Sequence, residues 1–275
     1  MPLQFAVAGA PHGTPGSGGT VRGLQYAHSL GISAMELEWV QSVPKNPERM
    51  SEVRSTAESL GMTLTVHAPY FVNLNADDPG KLSASVRRIL DALSMAQLCG
   101  AVSVCVHPAF YLEKDPAIAL ENVRKATDEI MEHKSRLFPD VNLGYETMGK
   151  PTQFGTLEEV LIISREFGIY PTVDPAHMHA RSNGAWNTTE EWHAMFDLYA
   201  EYLGTSSLRK MHIHYSGIAY SMKGEKHHVP LEESDARWRD FLSVLKDRRI
   251  GGVVVCESPL LESDTLLLQE AFTAL

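Results

Sequence analysis

Short apolar runs alternate with longer amphipathic stretches along the chain. Leu3–Ala8, Ala34–Trp39, Met62–Val66, Val102–Val106, Asn142–Tyr145, Tyr170–Val173, Lys210–His214 and Gly252–Cys256 have the length and composition of buried strands. Between and after them, Thr20–Leu30, Pro47–Leu60, Lys81–Cys99, Pro116–Leu137, Leu157–Phe167, Thr189–Leu203, Ser234–Lys246 and Asp264–Leu275 repeat apolar residues at helical spacing. The punctuation agrees. Pro47 and Pro116 sit in first turns, Gly31, Gly61, Gly100 and Gly168 follow last turns, and Thr188 or Thr189 is placed to cap a helix. Strands that alternate with helices pair in parallel, and eight such units in 275 residues predict a closed (β/α)8 barrel rather than an open doubly wound sheet. No linker or compositional break divides the chain, so one domain over residues 1–275 is expected.

Composition narrows the class. Apolar residues make up 44% of the chain, ample for a large core, and charged residues 21%, which does not suggest disorder. The net charge of -10 argues against a simple electrostatic binder of nucleic acid. Carboxylates that hold cations are neutralised by them, however, so the acidic balance does not settle the partner. Cys99, Cys105 and Cys256 are far apart, odd in number and form no C-x-x-C pair, so buried free thiols are expected rather than disulfides or a thiolate zinc site. The N-terminal Met-Pro-Leu-Gln-Phe lacks a basic region followed by an apolar one, and no apolar run approaches membrane-spanning length. A cytoplasmic enzyme without membrane contact is expected.

The chemistry lies where the apolar runs stop. His67, His107, Glu146, Asp174, His212 and Glu257 each lie at or near a strand end, with His177 three residues beyond Asp174. The long segment Ser216–Glu233 after the seventh strand adds Glu225, His227 and His228, and Gly9–Gly19 after the first carries His12. One such residue is usually a turn former, a cap or a satisfied core group. Six of them at the same end of successive strands predict a shared site on the face where barrel enzymes work. Imidazole and carboxylate without thiolate suit zinc, manganese or iron, and so many ligands could serve two or three ions. His214, on the same strand face as His212, and His12 are placed for a supporting or substrate contact.

Taken together, His67-Ala-Pro-Tyr70-Phe71-Val-Asn73-Leu, His107-Pro108, Glu146-Thr147, Asp174-Pro-Ala-His177 and the strand-seven histidine resemble the endonuclease IV family. These are zinc-dependent apurinic/apyrimidinic endonucleases within the xylose isomerase-like group of barrels. The similarity runs from about Ala34 to Glu257, and its specificity lies in the ordered set of ligands. The resemblance implies three zinc ions, with manganese or iron as alternatives at some positions. His67 and His107 would serve the first, Asp174, His212 and Glu257 the second, and Glu146 would bridge them as the catalytic carboxylate. His177 would serve the third with Glu225 and either His227 or His228. The implied reaction is hydrolysis of the phosphodiester 5′ to abasic sites in duplex DNA, by a monomer with no obligatory protein partner. Tyr70 and Phe71 would contact the DNA at the lesion. Three features depart from the family: Glu225 stands for an aspartate, the first-strand loop Gly9-Ala-Pro-His12-Gly13-Thr14 is only loosely similar, and the segment after strand two carries no clear arginine. A metal-dependent sugar isomerase or epimerase on the same barrel is the competing expectation, with Glu146 and Glu257 as facing glutamates.

Overall fold

The computed structural model describes residues 2–275. The eight barrel strands are β1 (Leu3–Ala8), β2 (Ala34–Glu38), β3 (Thr63–His67), β4 (Ser103–Val106), β5 (Asn142–Tyr145), β6 (Thr172–Val173), β7 (Met211–Tyr215) and β8 (Gly252–Cys256). Sequence neighbours pair in parallel from β1 to β5 and from β6 to β8, and β1 pairs with β8. The ring closes between β5 and β6 through a parallel bridge from Glu146 to Thr172, with the Thr147 amide donating to the Thr172 carbonyl at 3.1 Å. A side chain at Gly144 would meet Thr172 Oγ1 at 2.6 Å, so glycine is what lets the two strands approach there.

The helices follow from end signals legible in the sequence. They are α1 (Thr20–Ser29), α2 (Pro47–Leu60), α3 (Pro79–Cys99), α4 (Pro116–Leu137), α5 (Leu157–Phe167), α6 (Pro175–Arg181), α7 (Thr189–Leu203), α8 (Trp238–Asp247) and α9 (Glu262–Ala274). Asn46, Asp78 and Asp115 cap α2, α3 and α4 in front of a proline, while Thr156 and Thr188 form capping boxes at α5 and α7. Three differences from the sequence reading matter. The chain after Asp174 is helical (α6), not an open loop. The segment after β7 is a hairpin, Gly217–Ser221 paired antiparallel with Gly224–Val229. Ser234–Arg237 lies outside α8, which begins at Trp238.

Strand alternation sorts side chains between two environments. Met35, Leu37, Leu64, Val66, Val104, Val106, Ile213 and Tyr215 face the helices in two large apolar clusters. The alternate residues face the bore. There Ala6, Ala34, Val253 and Val255 form a small apolar plug under β1, β2 and β8. The rest of the bore carries buried polar groups, among them Glu36, His67, Ser103, Thr172, Asp174, His212 and His214. Burying so many ionisable groups costs stability unless they are paired or ligate a cation. Cys99, Cys105 and Cys256 are buried free thiols. No helix among the described residues is long and apolar enough to cross a membrane.

Candidate metal centre

Glu146, the residue after β5, stands at the middle of the upper bore and is fully buried. Its Oε2 lies 2.8 Å from His107 Nε2 and 3.7 Å from His67 Nε2, and the two imidazole nitrogens are 3.3 Å apart. Its Oε1 lies 3.1 Å from His214 Nδ1 and 3.4 Å from His177 Nδ1. The Cys105 thiol donates to Oε2 at 3.2 Å from below. One carboxylate therefore joins ligands from β3, β4, β7 and α6.

On the other side of Glu146, ligand atoms of Asp174, His214 and Glu257 lie with a Glu146 oxygen within 4.8 Å of one another. Asp174 divides its oxygens between two tasks. Oδ1 accepts from the His177 amide at 2.8 Å and so caps α6, while Oδ2 is buried with no hydrogen-bond partner. The cationic group nearest Oδ2 is His177 Nδ1 at 3.4 Å, and an oxygen without a hydrogen bond close to two other carboxylates is one that a cation would satisfy.

A third group lies outward. His177 Nε2 is 3.6 Å from Glu225 Oε2, and the His177 and His228 ring centres are 5.7 Å apart. Ligand atoms of His177, Glu225 and His228 fall within 4.8 Å of one another. Glu225 and His228 come from the second strand of the hairpin, which His228 Nδ1 ties to the Glu257 carbonyl at 3.1 Å. Gly149 makes room for them: a side chain there would meet Glu225 Oε2 at 2.7 Å and His177 Cδ2 at 3.1 Å. Tyr220 anchors the other hairpin strand by donating to Asp235 at 2.6 Å, and the same carboxylate contacts His179.

The charges of the cluster are strongly coupled. Burial alone would raise the pKa of Glu146, but the facing His107 and His214 hold it well below the carboxylate range. Burial lifts Asp174 to about 6 despite His177 beside it, and Glu38 on β2 to about 8 despite His67. Glu257, partly buried, is held to about 2 by His214. Burial would lower the pKa of His67, yet Glu146 and Glu38 raise it to about 9. In the absence of cations, protons held by His67, His177 and His214 supply positive charge to Glu146 and Glu257, whereas burial lowers the pKa of His107. Oxygen and nitrogen donors without thiolate fit a borderline divalent ion such as zinc.

The structure changes one sequence expectation, the level of His212, and decides between the two hairpin histidines; His212 itself falls in a group with Glu36 and His214. On β7 it is His214, not His212, that meets Asp174 and Glu257. His212 pairs in register with Val253 and His214 with Val255, so His212 lies two residues deeper in the bore. Its Nε2 contacts Glu36 Oε2 at 2.9 Å instead. In the hairpin His228 joins Glu225, while His227 is exposed on the opposite side. A bulge explains this: Tyr220 pairs with Glu225 and Ala219 with His227, so Lys226 is an extra residue and the strand's alternation shifts after it. One further placement differs from expectation, that of His12, and His179 has a role the sequence did not assign. His12 reaches the Pro259 carbonyl at 3.0 Å and does not line the cleft, and His179 supports the hairpin anchor. Glu36 and Glu38 were missed altogether. Their signal was the alternation Ala-Met-Glu-Leu-Glu, which puts both carboxylates on one strand face and apolar side chains on the other.

The cluster opens into a cleft of about 500 Å³, lined among others by Tyr70, Phe110, Lys150 and Gln153. Tyr70 stacks on His107 with ring centres 4.9 Å apart and stands edge-on to His67. Phe71, next to it in sequence, is 60% exposed, and Arg88 donates to its backbone carbonyl at 2.9 Å.

Known proteins share this architecture. An uncharacterized protein of Methanocaldococcus jannaschii is 33% identical over 273 residues, 99% of this chain and 98% of the relative. A probable endonuclease 4 of Mycoplasma pneumoniae is 25% identical over 170 residues, 60% of this chain and 57% of its own length. Among solved structures, endonuclease IV from Thermus thermophilus superposes with a TM-score of 0.71 at 20% identity, covering 98% of both chains. A D-tagatose 3-epimerase-like protein superposes equally well, with a TM-score of 0.72 at 19% identity over 98% of this chain and 96% of that one. The family model described as xylose isomerase-like TIM barrel matches residues 24–273, and the chain belongs to that family.

Proposed function

We propose that this chain is a metal-dependent phosphodiesterase that incises duplex DNA 5′ to abasic sites, with three zinc ions as its cofactor. The observation that carries the reading is the number of adjacent ligand groups. His67–His107–Glu146, Glu146–Asp174–His214–Glu257 and His177–Glu225–His228 would each hold one ion around a single cleft. A sugar isomerase or epimerase needs one or two ions and has no evident use for the hairpin group. The sequence relative named an endonuclease 4 supports the same choice.

When bound, zinc ions would acidify water to a pKa of about 7 and polarise a phosphodiester. The chain's own contributions follow from its geometry. Glu146 would join the first two pockets and orient the attacking water through its carboxylate. Lys150 lines the cleft where a backbone phosphate would enter. Tyr70, held against His107, and the exposed Phe71 would offer aromatic faces to bases beside a gap in the stack, where extrusion of a nucleotide costs least. Charge on the bound ions would also offset part of the net -10 that otherwise repels DNA.

One observation favours a second reading. Glu146, Asp174, His214 and Glu257 alone make a complete one-ion site, and the cleft volume suits a small sugar. A duplex oligonucleotide with a single abasic site separates the two. The endonuclease reading predicts cleavage immediately 5′ to the lesion, lost after prolonged chelation and restored by zinc. Intact duplex, together with interconversion of a ketose and its epimer or aldose, would establish the second reading.

A further inference from the structure

The deeper layer of the bore holds Glu36 and His212, which the proposed reaction does not use, beneath the metal-site residue His214. Glu36 and His214 are fully buried, and His212 nearly so. Glu36 Oε1 lies 2.8 Å from His214 Nε2, and Glu36 Oε2 lies 2.9 Å from His212 Nε2. His212 Nδ1 in turn lies 3.2 Å from Ser103 Oγ and 3.3 Å from Thr172 Oγ1. A chain of polar contacts thus crosses the barrel from β2 through β7 to β4 and β6, beneath the metal centre.

We infer that Glu36 is a positioning residue for the metal centre: it fixes His214 with Nδ1 turned up toward Glu146, Asp174 and Glu257, and His212 fixes Glu36. His214 stands between two layers, with its two ring nitrogens facing different carboxylates. An imidazole that gives one nitrogen's lone pair to an ion carries its proton on the other, and that N–H needs an acceptor. Below His214 the nearest acceptor atom is Glu36 Oε1, in contact at 2.8 Å with Nε2 though without an aligned hydrogen bond, in a layer buried from bulk solvent. The same carboxylate sets the ring's rotation, because a ring turned over would present Nδ1 to the wrong layer. Glu36 is held between the two imidazoles, its second oxygen 2.9 Å from His212 Nε2. Such outer carboxylates also make the imidazole a stronger donor to its ion. The inference rests on an ion in the pocket of Glu146, Asp174 and Glu257, not on the identity of the substrate.

The test is zinc retention, read without substrate. Full-length protein, Glu36→Gln and His212→Asn are dialysed against graded chelator and their zinc is counted. Glu36→Gln should release one ion at about 10–100-fold lower chelator strength than wild type. Its cobalt(II)-loaded form should also show a shifted visible spectrum, since the donor strength of His214 has changed. His212→Asn should show a smaller loss in the same direction, and it decides the question should Glu36→Gln not fold. Zinc retention and cobalt spectra equal to wild type in both variants overturn the inference, even if their melting temperatures fall. So does an ion found directly between Glu36 and the two imidazoles by anomalous diffraction. Wild-type protein that retains no zinc removes the metal reading itself, whereas failure to cut abasic DNA leaves this inference standing.

Discussion

The inner ligand groups and the hairpin group are built in different ways. His67, Glu146, Asp174 and His214 lie on strands or at their ends, are almost wholly buried and are braced by neighbours on several strands. Glu225 and His228 come from a two-stranded hairpin, are partly exposed, and owe their alignment to one bulge and to anchors at Asp235 and Glu257. Only His177 belongs to both settings, because Asp174 caps the helix that carries it. The contrast suggests a division of labour: a rigid centre that fixes the reacting groups, and a peripheral pocket that can be lost without dismantling it.

Substitutions can break or sharpen that contrast. The largest effect is expected at Glu146. Glu146→Gln should lower the rate of abasic-site cleavage by about 10²–10⁴-fold, with the circular dichroism spectrum unchanged; retention of full rate removes Glu146 from the reaction. Next comes the pair joined by the α6 cap. His177→Asn should remove one ion from the metal count and leave the inner centre loaded. Asp174→Ala should lose an inner ion and also about 1 kcal/mol from the lost cap, seen as a lower melting temperature.

The two hairpin histidines give a finer contrast. His228→Asn should cost one ion, while His227→Asn, with its exposed side chain, should leave metal content and rate at wild-type levels. The reverse pattern would mean that the bulge has been placed wrongly. Smaller still is the effect of pH on the metal-free protein. His67 is raised from 6.5 to about 9 and Glu38 from 4.5 to about 8, so their contributions are complete below those ordinary values and fade as pH rises through 8 and 9. Glu257 is lowered from 4.5 to about 2, so its contribution is present above 4.5 and lost as pH falls through 2. Asp174, raised from 3.8 to about 6, fades in the same direction, so melting temperature without metal should be highest near pH 4.5 and fall toward pH 9. Added zinc should oppose that fall, because protons and metal compete for the same ligands.

The barrel was legible in the sequence because its cues are local: apolar runs of strand length, and prolines, glycines and caps at helix ends. The order of His67, His107, Glu146, Asp174 and Glu257 along the chain was legible for the same reason, each falling near a strand end. What escaped depended on depth and register. Nothing in Met-His-Ile-His-Tyr says which histidine is level with Asp174; pairing with β8 decides it. Lys226 looks like an ordinary strand residue until its partner strand shows that it is an extra one. Glu36 was hidden because a strand with one apolar face reads as core, and only closure of the barrel turns its other face toward the histidines of β7.

Three ion pockets around one cleft, the third built by the hairpin, are the central claim. Elemental analysis of the purified chain and of His228→Asn tests it most directly. Three zinc ions per wild-type chain, falling to two in the variant, are the predicted result. A single ion in both proteins would contradict it and leave only the one-ion site of Glu146, Asp174, His214 and Glu257.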